Sequence, residues 1–333
     1  MPIHAWAAHK KKGPLGSFEY EPTPLGPHDV AIVISHCGIC HSDVHLVDGD
    51  WGVGAYPMVP GHEIVGSVVE AGPAVRHLKV GERVGVGWQR SACLVCEVCI
   101  RGEENLCRSD EATCVGHHGG FADRIRVDGR FAFPIPEVLS SETAAPLLCG
   151  GVTVYAPLSR LARPSMRVGI VGVGGLGHLG IQFARAMGCE VTALSSSPGK
   201  EDDARRLGAH HFVVTREGEA LADLARTLDV ILSTAFVAQD WPRLLSALRP
   251  NGTLCLVGVP TEPLTLSAGA LLGAQRCVTG SAIGGRPAIR EMLEFAARHR
   301  VGAEVQVRPM AEADAALNDV RQGRARYRAV LAA

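Results

Sequence analysis

Four cysteines fall within fifteen residues of this 333-residue chain, at Cys93, Cys96, Cys99 and Cys107. Four soft thiolate ligands this close together are typical of a closed, tetrahedral Zn²⁺ site, which stabilises a loop with little apolar core of its own. The spacing therefore predicts a structural zinc lobe over about residues 90–110, with no open position for substrate. An iron–sulfur cluster uses the same ligands and stays open as an alternative, which metal analysis would separate.

The composition indicates a globular chain with a small-molecule partner. A length of 333 residues favours two domains, and 47% apolar against 20% charged residues argues against disorder. The formal net charge of -1 gives no attraction toward nucleic acid or an anionic membrane. A zinc-ribbon protein that binds nucleic acid remains an alternative from another class. It is disfavoured because the only basic residue between Cys93 and Cys107, Arg101, is outnumbered by Glu97, Glu103 and Glu104.

The cysteine content and the start of the chain predict a cytoplasmic protein. No apolar run approaches the roughly 20 residues that span a bilayer. At the start of the chain, positive charge follows the apolar residues, which is the reverse of a signal peptide. Eleven cysteines without an export signal indicate a reducing compartment, where thiols bind metal or pack in a core.

Two different patterns of apolar residues along the chain predict an α/β protein with two domains. Residues 1–151 carry short alternating apolar runs between Gly and Pro, which is typical of a mostly β domain. Residues 152–284 alternate apolar runs with helical segments, which is typical of a Rossmann-type doubly wound parallel sheet. We expect the strands of that sheet at 168–171, 190–194, 211–214, 229–233, 254–257 and 277–282.

The tail of the chain, residues 285–333, returns to the first domain in this prediction. It contains a helix with Ile289, Met292, Leu293 and Ala296 at helical spacing, which indicates one apolar face. A short β stretch is expected after it, at 304–307.

A glycine-rich turn follows the first strand of the parallel sheet and opens a helix. It comprises Gly172, Gly174, Gly175, Leu176 and Gly177. Glycines allow a tight turn and close backbone approach, and the N–H groups at the helix start can receive a pyrophosphate. A plain turn is the alternative, but the strand and helix on either side favour a dinucleotide site.

The end of the second strand predicts which dinucleotide is bound. An NAD enzyme carries a carboxylate there for the ribose 2′-hydroxyl, whereas this chain has Ser195, Ser196 and Ser197, followed by Lys200. Hydroxyls and a cation suit a 2′-phosphate, so NADP(H) is favoured over NAD(H). The serines could also cap the next helix, and the two roles are compatible.

Other residues of metal-ligand type are dispersed: Cys40, the pair His62 and Glu63, and Cys149. Spacing cannot join them, and each alone is ambiguous, since a lone cysteine usually packs and a lone glutamate usually faces solvent. Combined with the cysteine lobe and the glycine turn, however, their order and spacing resemble the zinc-containing medium-chain alcohol dehydrogenases over nearly the whole chain.

That resemblance implies a GroES-like catalytic domain and a catalytic zinc bound by Cys40, His62 and Cys149. Glu63 is then either a fourth ligand in the resting enzyme or a carboxylate close to the metal, and Asp43 orients His62. Three protein ligands leave one coordination position open for substrate. The family also suggests a homodimer formed by the cofactor domains.

Three segments are similar to the cinnamyl alcohol dehydrogenase branch of the family. They are Ser-Ser-Ser-Pro-x-Lys at 195–200, the tryptophan segment around position 51, and Gly-Ser-x-Ile-Gly-Gly at 280–285. By family position, Trp51 is a wall of an apolar substrate pocket, and a packed loop tryptophan is the alternative. The chain departs from the branch at Gly150, where alanine is expected, and at His117 and His118, but neither departure removes a chemical group.

Ser42 and His45 are the residues expected to move the alcohol proton. A hydroxyl followed by an imidazole can pass a proton outward, because both groups donate and accept hydrogen bonds. A helix after Cys40 would place the two side chains on one face, and the resemblance implies the same relay through the cofactor ribose. A helix N-cap at Ser42 and a surface role for His45 are the alternatives.

Together these observations predict a zinc-dependent oxidoreductase. We expect it to interconvert primary alcohols and aldehydes, of aryl, allylic or aliphatic type, by hydride transfer with NADP(H). A zinc dehydrogenase acting on polyols or secondary alcohols is the nearest alternative, and a substrate panel would discriminate between them.

Overall fold

The computed structural model of the chain describes residues 1–216, 218–260 and 262–333. The chain separates into two compact units. Unit 1 comprises Met1–Gly150 and Gly284–Ala333, and unit 2 comprises Gly151–Ile283. Within the described ranges, none of the helices combines the length and apolarity needed to cross a membrane.

Strands and helices are numbered here in chain order over the described residues. Strands β1 to β17 are Ile3–Ala8, Leu15–Tyr20, Asp29–Ile39, Glu63–Ala71, Arg83–Val86, Gln89–Ser91, Glu111–Ala112, Arg124–Asp128, Ala132–Pro134, Arg167–Val171, Glu190–Ser195, His211–Val214, Leu228–Ser233, Leu248–Leu256, Cys277–Gly280, Val305–Pro309 and Arg328–Ala332. Helices α1 to α11 are His41–Asp48, Glu97–Ile100, Ser141–Ala144, Gly150–Leu161, Gly177–Ala186, Glu201–Arg206, Gly218–Ala222, Trp241–Ala247, Ala268–Leu272, Arg286–His299 and Ala313–Arg321. Short 3-10 turns include Glu104–Leu106, Ala145–Leu148 and Pro198–Lys200.

Unit 1 is built on a mixed sheet in the order β16-β17-β3-β4-β5-β9, with β8 also paired to β3. β16 and β17 are parallel, and the other pairs are antiparallel. Alternation along β3 buries Ile32 and Ile34 in the core, and Ile125 of β8 lies opposite Ile32. Burial of each such side chain contributes about 1.5–3 kcal/mol, which makes this sheet a firm support for the loops at its ends.

The tail of the chain contributes more structure to unit 1 than the sequence predicted. Helix α10 is present, and its expected apolar face is buried. The β stretch expected at 304–307 is found at Val305–Pro309. Helix α11 and strand β17 were not predicted, although α11 buries a regular apolar face and β17 joins β16 to β3. β17 is short and begins with Arg328, so it lacks the alternation that identifies a strand.

Unit 2 is a parallel six-stranded sheet in the order β12-β11-β10-β13-β14-β15. The order reverses after β10, which is the arrangement of a doubly wound dinucleotide-binding sheet. Each predicted strand is present, with the main difference that β14 begins earlier, at Leu248, ahead of a register shift against β13. The predicted fold class, a Rossmann-type sheet together with a mostly β domain, is confirmed.

Candidate metal centres and cofactor site

The four cysteines predicted as a metal lobe converge in unit 1. Helix α2 begins directly after Cys96 and turns the chain back, so that Cys93 and Cys99 approach each other. The Sγ atoms of Cys93 and Cys99 are 3.8 Å apart, those of Cys96 and Cys107 are 3.8 Å apart, and those of Cys93 and Cys107 are 3.5 Å apart. A tetrahedron with Zn–S bonds of about 2.3 Å has edges of about 3.8 Å. The spacing of the sulfurs therefore fits one zinc ion.

The protonation of the four thiols in the lobe is also consistent with a bound metal ion. Peptide N–H groups of Val95 and Cys96 lower the pKa of the Cys93 thiol to about 6. Burial and the neighbouring sulfurs raise the pKa of Cys99 to about 12. Four crowded sulfurs cannot all ionise at neutral pH unless a cation neutralises them, and a closed set of thiolate ligands matches Zn²⁺.

Glu104 anchors the lobe to the rest of unit 1. Its carboxylate is buried and accepts hydrogen bonds from the backbone N–H of Arg286, at 2.9 Å, and from Arg286 Nε, at 2.7 Å. The side-chain amide of Gln89 donates to the Glu104 carbonyl at 2.6 Å. The sequence analysis counted this glutamate only among the acidic residues of the lobe, whereas the fold uses it to hold the first turn of α10.

The dispersed residues of metal-ligand type form a second cluster in unit 1. Cys40 precedes α1, His62 and Glu63 stand at the start of β4, and Cys149 follows the 3-10 turn at Ala145–Leu148. One ligand atom from each of the four residues lies within 4.8 Å of the others. Strand pairing between β3 and β4 brings the first three together, because Gly38 of β3 lies opposite Glu63.

Asp43 organises this cluster from behind. One carboxylate oxygen accepts the Cys40 N–H at 2.8 Å, and the other accepts the Gly61 N–H at 2.9 Å and lies 2.9 Å from His62 Nδ1. Gly61 has φ +103°, and a side chain there would collide with Phe121 and a buried sulfur. Asp43 thus fixes the ring of His62 so that Nε2 points away from it, as a carboxylate behind a metal-bound histidine does.

Glu63 is held by a residue that the sequence did not single out. Arg328, the first residue of β17, makes a buried ion pair with Glu63 Oε1. Burial raises the pKa of Glu63 to about 7, and Arg328 opposes that shift. For Arg328 burial lowers the pKa, but the charges of Glu63 and Cys40 outweigh it and raise the pKa.

Unpaired atoms show that these residues fit a metal ion. Among the described residues, the buried polar side-chain atoms without a hydrogen-bond partner are few, and three of them lie here: His62 Nε2, Glu63 Oε2 and Arg328 Nε. A hydrogen bond from Cys149 lowers the pKa of Cys40, so the two thiols share one proton. His62 supplies a buried imidazole nitrogen, and Cys40 and Cys149 supply two sulfurs that carry one negative charge between them. This is a donor set that Zn²⁺ prefers.

The expected relay residues lie on α1. Cys40, rather than Ser42, is the N-cap of this helix, so the alternative role of Ser42 as N-cap is wrong. Ser42 Oγ lies 3.6 Å from Cys40 Sγ. His45 is partly exposed, and its Nδ1 lies 2.9 Å from Asp50 Oδ2. That contact is the largest cause of the lowered pKa of Asp50. A hydroxyl beside the cluster and an imidazole nearer solvent are thus in the order that proton transfer needs.

The glycine turn of unit 2 runs between β10 and α5 as predicted. Gly172 has φ +90°, and a Cβ on Gly177 would lie 1.8 Å from the Gly172 carbonyl oxygen. Neither position accepts a side chain, because the turn folds tightly against the start of α5. Thr234 braces the turn by donating to the Val171 carbonyl at 2.8 Å. The N–H groups of His178, Leu179 and Gly180 already donate to the carbonyls of Gly174 and Leu176, so a phosphate would be received by the glycine turn that precedes them.

The serine run lies at the end of β11, where the sheet order places the ribose of a dinucleotide. Ser195 is buried, and its hydroxyl accepts the Ser197 N–H at 3.1 Å. Ser196 and Ser197 are exposed, and Lys200 is half-buried in the following 3-10 turn. Ser195 therefore shapes the turn, while the other two serines and the lysine line its outer side.

Comparison with known proteins identifies the family. Residues 26–137 match the alcohol dehydrogenase GroES-like domain, and residues 175–298 match the zinc-binding dehydrogenase domain. The chain is 42% identical over 330 residues to the aldehyde reductase AdhA of Synechocystis sp., covering 99% of this chain and 98% of that protein. The chain belongs to the zinc-dependent medium-chain alcohol dehydrogenases. The resemblance inferred from the sequence is confirmed.

Two solved structures place the dehydrogenase in the predicted branch. A cinnamyl alcohol dehydrogenase from Sorghum bicolor superposes with a TM-score of 0.95 at 38% identity, covering 100% of this chain and 98% of that chain. A cinnamyl alcohol dehydrogenase from Helicobacter pylori, complexed with NADP(H), superposes with a TM-score of 0.91 at 33% identity, with the same coverage.

Two tryptophans lie next to the dispersed cluster of the dehydrogenase. Trp51, expected as a pocket wall, is 42% exposed and stacks on His45 with ring centroids 5.3 Å apart. Trp88 packs edge-on against His62, at 4.9 Å, and contacts Trp51 at 6.2 Å. Trp88, and not the tryptophan that the sequence favoured, therefore contacts His62 directly, and the two tryptophans together form an apolar wall.

Sequence reasoning missed Arg328 and Cys114 at this site. Cys114 is buried, and its Sγ lies 4.0 Å from His62 Nδ1. An arginine at the head of the apolar run Ala-Val-Leu-Ala could have suggested a buried charge in need of a partner. Nothing in the spacing of Cys114 distinguished it from other core cysteines.

Proposed function

We propose that the dehydrogenase interconverts primary alcohols and aldehydes of aryl, allylic or aliphatic type, using NADP(H). The observation that carries this proposal is the convergence of Cys40, His62, Glu63 and Cys149 in one buried cluster. It is supported by the relatives, one named as an aldehyde reductase and two as cinnamyl alcohol dehydrogenases. The apolar wall of Trp51 and Trp88 suits a substrate with an apolar body rather than a polyol.

In this proposal Cys40, His62 and Cys149 hold the catalytic zinc, with Glu63 as a fourth ligand or a near neighbour. When bound, the zinc supplies a Lewis acid to the reaction. Asp43 keeps the proton of His62 on Nδ1, so that Nε2 stays free to bind the metal. Trp51 and Trp88 exclude water from the reacting atoms.

Ser42 and His45 move the alcohol proton in this mechanism. Ser42 Oγ receives the proton close to Cys40, and His45, which is in contact with Asp50, delivers it to solvent. We expect His45→Gln to lower the rate most near neutral pH and less at high pH, where hydroxide accepts the proton directly. A loss that is independent of pH would mean that His45 only packs against Trp51.

For the cofactor, we propose that the glycine turn at 172–177 binds the pyrophosphate of NADP(H). Ser196, Ser197 and Lys200 would surround the 2′-phosphate, and Ser195 would hold the turn that presents them. The Helicobacter pylori relative was solved with NADP(H), which supports this assignment.

We also propose the function of each unit and the setting in which the protein works. Residues 1–151 and 285–333 would form the catalytic zinc-binding domain, and residues 152–284 the dinucleotide-binding domain. The family resemblance supports a homodimer formed by the cofactor domains. All eleven cysteines are free thiols, which supports a reducing, cytoplasmic location.

The decisive experiment measures NADPH consumption over a panel of aldehydes and ketones, before and after chelation of the metal. We expect aromatic and allylic aldehydes to be reduced, at least tenfold more efficiently with NADPH than with NADH, and activity to disappear on chelation. Oxidation of mannitol or a secondary alcohol in preference to primary alcohols would establish the polyol alternative instead. Equal efficiency with NADH would contradict the cofactor assignment.

A further inference from the structure

A cavity in unit 1 lies apart from the four proposed catalytic ligands, none of which lines it. It lies beside the β1–β2 hairpin and has a volume of about 390 Å³, within the range of small-molecule sites. Its walls come from Tyr20 at the end of β2, the loop 55–58 and the segment 114–118. That segment contains His117 and His118, the histidines that depart from the branch pattern. Cys114, at its back wall, separates it from His62.

Arg90 is the charged group that distinguishes this cavity. Its guanidinium is half-buried, and Nη2 donates to the Arg126 carbonyl at 3.1 Å. Over the described part of the chain, no carboxylate lies within ion-pair distance of Arg90. Burial lowers the pKa of Arg90 because the cation is poorly solvated there. A planar guanidinium in this setting is suited to receive an anion from solution.

Tyr20 and His118 form an aromatic wall beside Arg90. Their ring centroids are 4.2 Å apart, and Phe18 contacts both rings. The Tyr20 hydroxyl has no hydrogen-bond partner among the described residues. Burial raises the pKa of Tyr20 to about 12, so the hydroxyl keeps its proton and can donate it. Burial lowers the pKa of His118, which keeps its imidazole neutral.

The other titratable groups that line the cavity are paired, neutral or exposed. Arg126 donates to the Thr23 carbonyl and lies 4.0 Å from Glu70. His117 lies 3.3 Å from Glu111, but burial lowers the pKa of His117 and keeps its imidazole neutral, so Glu111 retains its charge and stabilises Arg90 from a distance. Glu21 is exposed at the rim, where water screens its charge.

The floor of the cavity is apolar, with Ile3, Met58 and Ile125 buried beneath it. Arg90 therefore presents a guanidinium that no carboxylate of the described residues contacts directly, above apolar and aromatic surface, while Glu111, Asp29 and Asp128 act on its charge from a greater distance. A single guanidinium matches a monocarboxylate better than a phosphate, which carries about two negative charges near neutral pH. The apolar floor and the Tyr20 and His118 rings match a ligand with a flat, apolar body.

We propose that this cavity is a binding site for a small aromatic monocarboxylate. The carboxylate receives hydrogen bonds from Arg90 and the Tyr20 hydroxyl, and the ring of the ligand packs on His118 and the apolar floor. The site is separate from the proposed catalytic zinc cluster, and its occupant is bound without being transformed.

Calorimetric titration of the zinc-loaded dehydrogenase with benzoate tests this proposal. We expect one benzoate per chain, at least tenfold weaker binding in Arg90→Gln, and a smaller loss in Tyr20→Phe, since hydrogen bonds to charged groups are the stronger ones. Arg76→Gln, which changes an exposed arginine of the same unit, should bind benzoate as the unmodified protein does. Benzamide, the neutral analogue, should bind more weakly than benzoate.

The same titrations can overturn the proposal. Benzoate affinity that is unchanged in both Arg90→Gln and Tyr20→Phe would show that benzoate binds elsewhere. Competition between benzoate and the aldehyde substrate would place benzoate at the proposed catalytic cluster. Tighter binding of inorganic phosphate than of benzoate would contradict the ligand class. If Arg90→Gln does not fold, Tyr20→Phe and Arg90→Lys provide the same test, because each leaves the buried framework intact.

Discussion

The two metal-ligand clusters of unit 1 differ in how the chain builds them. The cysteine lobe takes four identical ligands from fifteen consecutive residues, and a short helix and two turns bring them together. The second cluster takes a histidine, a glutamate and two cysteines from three distant places, and β3, β4 and a 3-10 turn assemble it. A cluster of residues that are close in sequence can therefore be encoded locally, whereas the dispersed cluster depends on the whole domain.

The surroundings of the two clusters differ in the same way. Sulfurs of the lobe accept hydrogen bonds from backbone N–H groups of the same segment. The N–H of Cys96 donates to Cys93 Sγ and the N–H of Ser109 donates to Cys107 Sγ, each at 3.4 Å. The dispersed cluster is buried and is held by charged partners outside it, Asp43 and Arg328. Damage to the lobe should therefore reduce stability, and damage to the dispersed cluster should reduce activity.

Removal of a ligand from the dispersed cluster should have the largest effect on activity. We expect Cys40→Ala to lower kcat/KM about 10³-fold, because several kcal/mol of Lewis-acid stabilisation is lost. Metal analysis should find one of the two metal equivalents missing. Cys189→Ala, which removes a buried cysteine of unit 2, is the matched control and should retain both metals. Full activity and metal content in Cys40→Ala would refute the ligand assignment.

Removal of a ligand from the lobe should act on stability instead. We expect Cys107→Ala to lower the free energy of unfolding by about 4 kcal/mol, because the loop loses its metal and has little core to replace it. Thermal unfolding measures the change, and residual activity at low temperature should persist. Cys277→Ala, an exposed thiol, should leave the melting temperature unchanged. An unaltered melting temperature in Cys107→Ala would remove the distinction between the clusters.

Arg328 tests whether the buried ion pair supports the dispersed cluster. We expect Arg328→Met to destabilise the fold by about 3 kcal/mol, since the buried Glu63 would lose its partner and would have to take up a proton or stay charged without compensation. Chemical denaturation measures this change. Adding Glu63→Gln to that variant should recover part of the stability, because the unpaired charge is removed. No recovery in the double variant would mean that Arg328 contributes by packing alone.

Asp43 should give the smallest of these effects, because it acts through His62. We expect Asp43→Asn to lower metal affinity or kcat/KM about 10- to 100-fold while the fold is retained. Competition with a chelator measures the affinity. Asp48→Asn, on the same helix but paired with Arg321, is the matched control and should behave as the unmodified enzyme. Equal losses in the two variants would indicate a general effect on α1.

Several elements could be predicted because their signal is local. The strands of unit 2 and the apolar face of α10 follow from periodicity, and the glycine turn follows from its position between a strand and a helix. β17 could not be predicted in this way. It is five residues long, begins with a charge, and gains its place only by pairing with β3 and β16.

The four-cysteine lobe was determined by the sequence alone, because its spacing brings the ligands together whatever the rest of the chain does. The dispersed residues were predicted as ligands only through the resemblance to a family, since spacing over a hundred residues carries no geometric information. Tertiary structure decided what holds them: Arg328 reaches Glu63, and Trp88 and Cys114 reach His62, through strand pairing and loop packing. Contacts between residues far apart in the chain depend on the fold, and no local pattern records them.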